Sequence, residues 1–137
     1  MSDPIAFEIT LPDGYAQALE RVTAALKAEG FGILTRIDVH TTLKEKIGAD
    51  FRPYSILGAC NPPLAHRALS HDAEVGLLLP CNVTVEAAPT GGGSVTRIAD
   101  PVMMLSVGRF GSDATLGAVA EEARERLQRV AAALRAP

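Results

Sequence analysis

Two Cys-Asn dipeptides, Cys60-Asn61 and Cys81-Asn82, carry the most suggestive chemistry in this chain. A thiol acts as nucleophile or metal ligand only as its thiolate, so its surroundings decide what it can do. Cys60 closes a run of alternating residues and is followed at once by Asn61-Pro62, an N-cap residue and a proline suited to a first helical turn. The outward-pointing peptide N–H groups of a helix start favour negative charge, which gives Cys60 a physical reason to be reactive. The plainer reading is a small apolar residue packed beneath the helix, where free cysteine is commonly found. Cys81 falls between Leu79 and Val83 in an alternating apolar series and reads as a core residue. Its chemical interest depends on how close it lies to Cys60. Cys60 and Cys81 are thus the candidate catalytic residues, and Cys60, Asn61, Cys81 and Asn82 the candidate ligand-binding set. Asn61 is accounted for by helix capping alone. Asn82 is unusual in an apolar strand, because a buried amide needs partners; tying down irregular backbone around Pro80 would supply them.

His66 falls in the helix expected after Asn61, and His71 lies near that helix's end, where a protonated ring suits the dipole. Cys60, Cys81 and His66 make a candidate metal set for zinc, copper or haem iron. The 20 residues between the cysteines match neither a Cys-x-x-Cys redox motif nor a zinc-finger spacing. A solvated His66 is the plain alternative. No paired carboxylates, Gly-x-Ser-x-Gly turn or phosphate loop is present, and Gly91-Gly92-Gly93 is a hairpin connection with no Lys-Ser/Thr after it. The cofactor, if any, is left unknown.

The elements that must position these residues follow from periodicity. Ile5, Phe7, Ile9 and Leu11 alternate with polar or small neighbours and predict a first strand, ended by Pro12-Asp13-Gly14. Tyr15, Leu19, Val22 and Leu26 share one helical face, and Gly30-Phe31 reads as a glycine cap with Phe31 folded back on the helix. A second strand puts Ile33, Thr35, Ile37 and Val39 on one side and Leu34, Arg36, Asp38 and His40 on the other. Thr42-Leu43-Lys44-Glu45 has capping-box spacing, predicting a short helix to Ile47 that stops at Gly48. Tyr54 to Cys60 alternates as a third strand, and a short helix runs from Asn61-Pro62 to about Leu69 or His71. Leu77, Leu79, Cys81, Val83 and Val85 predict a fourth strand, with Pro80 at an edge, a bulge or just before the strand proper. Ser94 to Ile98 return as a fifth strand, Asp100-Pro101 opens one helical turn, and Leu116, Val119, Ala123, Leu127, Val130 and Leu134 mark a long C-terminal helix, about 113–135. The order is β-α-β-β-β-β-α, an α+β domain with two main helices on one face of a mostly antiparallel sheet. The other face is left to solvent or to a partner. It would show Leu34, Arg36, Asp38 and His40 from the second strand, and Leu78, Pro80, Asn82 and Thr84 from the fourth.

Residues 1–137 are expected to form one domain, since 137 residues suffice for a single core and leave little for a second. The net charge of −3, with basic residues scattered among more numerous acids, argues against nucleic-acid binding. No apolar run approaches the ~20 residues of a membrane span, and no signal segment is seen at the N-terminus. The expected compartment is the cytoplasm, where both cysteines rest as thiols.

Gly58-Ala59-Cys60-Asn61-Pro62 with Leu64, Ala65 and Ala68-Leu69, and Gly76-Leu77-Leu78-Leu79-Pro80-Cys81-Asn82-Val83, resemble the two signatures of the domain-of-unknown-function family 302. Residues 26–38 and Leu43-Lys44-Glu45-Lys46-Ile47-Gly48 fit the same family, so the resemblance covers about residues 5–105. It implies a TATA-binding-protein-like α+β fold and a tendency to form homodimers, with no substrate or catalytic residue attached. His66 stands where the family pattern suggests an aromatic or aliphatic residue. Three functions remain open. The first is a homodimeric module binding a small ligand or metal near the two Cys-Asn segments. The second is a thiol-dependent redox or sulfur-handling enzyme using Cys60. The third is a structural or protein-interaction domain without chemistry.

Overall fold

The computed structural model of this protein describes residues 4–136. Five strands, β1 (Ala6–Leu11), β2 (Gly32–Asp38), β3 (Tyr54–Cys60), β4 (Cys81–Ala87) and β5 (Ser94–Ala99), form one sheet in the order β1-β5-β4-β3-β2. Every neighbouring pair is antiparallel. The helices are α1 (Tyr15–Ala28), α2 (Val39–Ile47), α3 (Pro62–His71), the single turn α4 (Pro101–Met104) and α5 (Ala114–Arg135). The α+β class and the β-α-β-β-β-β-α order expected from periodicity both hold.

The core lies between one sheet face and α1, α3 and α5. Helix α1 contributes Ala18, Leu19, Val22 and Leu26, and α5 contributes Leu116, Val119, Leu127 and Val130. Against them stand Ile9, Leu57, Val83, Val85 and Ile98 from the sheet. Each of these Val, Leu and Ile side chains adds roughly 1.5–3 kcal/mol by leaving water. Gly30 stops α1 at φ 86°, with the Phe31 N–H returning to the Leu26 carbonyl at 2.9 Å. The left-handed backbone there suits glycine, and it turns Phe31 into the core at 1% exposure.

Three local expectations are corrected. First, the pairing of β2 with β3 slips between Ile33 and Thr35, leaving Leu34 as an extra residue. A bulge of this kind reverses the alternation. Arg36 and Asp38 therefore share the helix-bearing face with their partners Leu57 and Ser55, while Thr35 and Ile37 take the open face beside Gly58 and Ile56. Second, α2 begins at Val39 and not at the Thr42 capping box. Val39 and His40 thus belong to the helix, which stops at Gly48 as expected. Third, Leu77 lies in a 3₁₀ turn (Ala73–Leu78), is 83% exposed, and precedes a strand that starts only at Cys81. Pro80 accordingly sits just before the strand proper, after a cis Leu79-Pro80 bond.

Candidate functional site

The two Cys-Asn segments meet across the β3–β4 ladder. Ala59 is opposite Cys81 and Gly58 is opposite Asn82, so Cys60 is offset from Cys81 by one residue. Both cysteines are free thiols, each partly buried. The signatures interlock at Gly58. A Cβ there would collide with the Thr35 Oγ1 and stand 2.7 Å from the Pro80 Cγ, so only a hydrogen fits beneath them. The downstream end of β3 then feeds α3. Asn61 caps that helix by accepting from the Leu64 N–H at 3.3 Å. The same side chain lies against Gly30, where a Cβ would come within 2.9 Å of the Asn61 Nδ2. Gly58 is thus packed close against Pro80, and Gly30 against Asn61.

Around this junction is a cavity of about 280 Å³, walled by Phe31, Leu64, Ala68, Leu79, Val119 and Ala123 among others, with Cys60, Asn61 and Cys81 also on its lining. Among the described residues that line it there is no histidine, carboxylate, lysine or arginine. Burial, reinforced by the neighbouring Cys60, pushes the Cys81 thiol up to about 11. At neutral pH Cys81 is therefore an uncharged apolar group, a poor nucleophile and a poor metal ligand. A second cavity of about 250 Å³ shares Leu79, Pro80 and Cys81 with the first, and has Leu77, Asn82, Ala99 and Met104 in its walls.

Three of the four candidate ligand-binding residues, Cys60, Asn61 and Cys81, line one cavity, and Asn82 lines its neighbour. Asn82 is exposed, which corrects the expectation of a buried amide: its side chain leaves the sheet on the open face, where water serves it. The proposed metal set is not assembled. His66 is exposed on α3 and is absent from the cavity lining, and no group of three His, Cys, Asp or Glu capable of holding a metal occurs among the described residues. Position on α3 explains this: Leu64 and Ala68 face inward, and His66, between them, faces out. His71 pairs with Asp113, the N-cap of α5, at 2.8 Å.

Sequence reading missed a second constellation, at the opposite end of β3. The Tyr15 hydroxyl meets the Ser55 Oγ at 2.5 Å, and the Ser55 Oγ donates to the Asp38 Oδ1 at 2.6 Å. The Arg36 Nε donates to the same oxygen at 2.8 Å. Arg36, then Ser55, hold the Asp38 carboxyl below its usual range. Beside them the His40 Nδ1 accepts from the Tyr54 N–H at 3.0 Å, and its ring stands edge-on to Tyr15 at 5.7 Å. The partners are separated by up to 40 residues in sequence, and only the β2 bulge brings Arg36 and Asp38 to this face.

The fold and the cavity define an antiparallel α+β domain with an apolar, thiol-bearing pocket between its sheet end and its helices. The chain belongs to the family described as "Domain of unknown function DUF302", whose model matches residues 7–134. That match takes in α5, which the sequence resemblance had left out. The chain is also similar to a solved structure described as "Crystal structure of uncharacterized conserved protein DUF302 from Bacillus stearothermophilus", at 30% identity and a TM-score of 0.85, covering 97% of this chain and 100% of that one. No curated protein matches. No helix among the described residues is long and apolar enough to cross a membrane.

Proposed function

We propose that this protein is a small-ligand-binding module, acting as a homodimer in the cytoplasm, with an apolar ligand held in the cavity between α3, α5 and the Cys60–Cys81 junction. The observation that carries this reading is the cavity itself: about 280 Å³, walled by hydrocarbon and two thiols. Burying a ligand there draws on apolar contact, and small-molecule sites are concave and mostly apolar in the same way. The thiol-enzyme reading has less support. A nucleophile needs a base, and none of the described lining residues can act as one. Cys81, kept protonated by burial, is not a resolving thiolate at neutral pH. Free cysteines are in keeping with a reducing cytoplasm. The dimer is supported by the edge strand β2, which exposes Ile37 at 49%, and by the prevalence of two-fold assemblies.

Calorimetric titration with indole tests the reading. Saturable binding is expected in the wild type and is lost in Ala65→Phe, which fills the cavity from α3. A protein that binds no indole, yet is alkylated at Cys60 by iodoacetamide faster than a free thiol at neutral pH, is better read as the thiol enzyme.

A further inference from the structure

We propose that the two cavities flanking Leu79-Pro80-Cys81 form one channel for a linear aliphatic chain with an uncharged head group. This rests on the ligand-binding reading and names the ligand's class. The cavities, about 280 and 250 Å³, share Leu79, Pro80, Cys81, Pro101 and Leu105 in their walls. Leu79 and Leu105 are only partly buried and pack on the margin of the core, so they are the side chains with room to turn. A compact molecule occupies one chamber. A flexible chain that passes these two leucines occupies both without moving the sheet.

The mouths of the chambers carry the same signature. Leu34 and Leu69, 66% and 43% exposed, line the first chamber, and Leu77, 83% exposed, lines the second. Leucines held in water at both rims suit an alkyl chain that they can cover. No charged side chain lines either chamber among the described residues. A carboxylate or phosphate drawn in would lose its hydration with no cation to pair with, which is too costly for a head group of that kind. The amides available are Asn61 in the first chamber and Asn82 in the second, groups that hydrogen-bond to a neutral oxygen such as an alcohol, aldehyde or ester.

Size makes the proposal testable. At ~30 Å³ for a water-sized group, the first chamber holds about nine heavy atoms. Octanol matches that volume, and on the channel reading the further methylenes of longer alcohols enter the second chamber. Calorimetric titration of the wild-type protein with n-alkanols from butanol to dodecanol, with indole as a compact control, reads this directly. Affinity is expected to rise about fourfold per methylene throughout the series. Met104→Trp, which occupies the second chamber alone, should halt the rise at octanol and leave butanol and indole unchanged. A wild-type plateau at octanol, with butanol and indole still bound, overturns the channel and leaves the single-cavity reading standing. Failure of both indole and every alkanol to bind overturns both. The wild-type series decides the matter even if the variant is too unstable to titrate.

Discussion

Strand β3 carries two fully buried small residues on the same face, Ser55 and Ala59, and the molecule treats its two ends in opposite ways. Around Ser55 the polar groups are linked to one another: the Tyr15 hydroxyl, the Ser55 hydroxyl, the Asp38 Oδ1 and the Arg36 Nε form one chain of hydrogen bonds. Around Ala59 the neighbours are hydrocarbon, thiols and a capping amide, and there the structure leaves about 280 Å³ unfilled. A buried polar group dictates the position of its partners, since an unmet hydrogen bond costs more than a made one yields. Apolar walls make no such demand. The end of the strand with the fewest polar obligations is therefore the end able to take a ligand.

The largest expected effect comes from breaking the apolar end at its tightest point. Gly58→Val forces side-chain atoms into Thr35 and the Pro80 ring and should lower unfolding stability by roughly 3 kcal/mol in urea titrations. Gly32→Ala, where a Cβ meets nothing within 4 Å, should be close to neutral. Equal losses in the two variants would show that close packing at Gly58 is not what joins the signatures. At the polar end, Asp38→Ala removes the acceptor of a fully buried hydroxyl and should cost about 1–2 kcal/mol. Tyr15→Phe should cost less, because Ser55 then still donates to Asp38. If Tyr15→Phe proves the worse of the two, the order of the relay is wrong.

The third test is the slope with pH. Cys81 is raised in the folded protein to about 11 from 9.0, so between those values the unfolded chain loses a proton that the folded chain keeps. Stability is thus complete below pH 9 and falls as pH rises toward 11, by up to about 1.4 kcal/mol per unit. Cys81→Ala should flatten that part of the curve in denaturant titrations. An unchanged slope in the variant would mean that the thiol is not desolvated.

Much of the framework was legible because its signals are local. The α1 face, the Gly30-Phe31 stop, the Asn61 and Asp100 caps and the long α5 stripe all depend on residues within a few positions of one another. The strand faces of β2 were not legible. One extra residue at Leu34 inverts everything after it, and the bulge is a property of pairing with β3 rather than of β2. For the same reason Arg36 and Asp38 read as open-face residues when they belong to the relay. Asn82 misled because an apolar strand suggests a buried amide, whereas the first open-face position of β4 is exposed.

The amino-acid sequence by itself determined the α+β order, the family and the two Cys-Asn segments as the place to look, since periodicity, caps and short motifs are carried by near neighbours. Only the tertiary structure decided that the segments adjoin, that His66 stands apart from them, and that the space around them is empty and apolar. Those outcomes depend on ladder register and on how helices far apart in the chain pack over one sheet end, which no local spacing encodes.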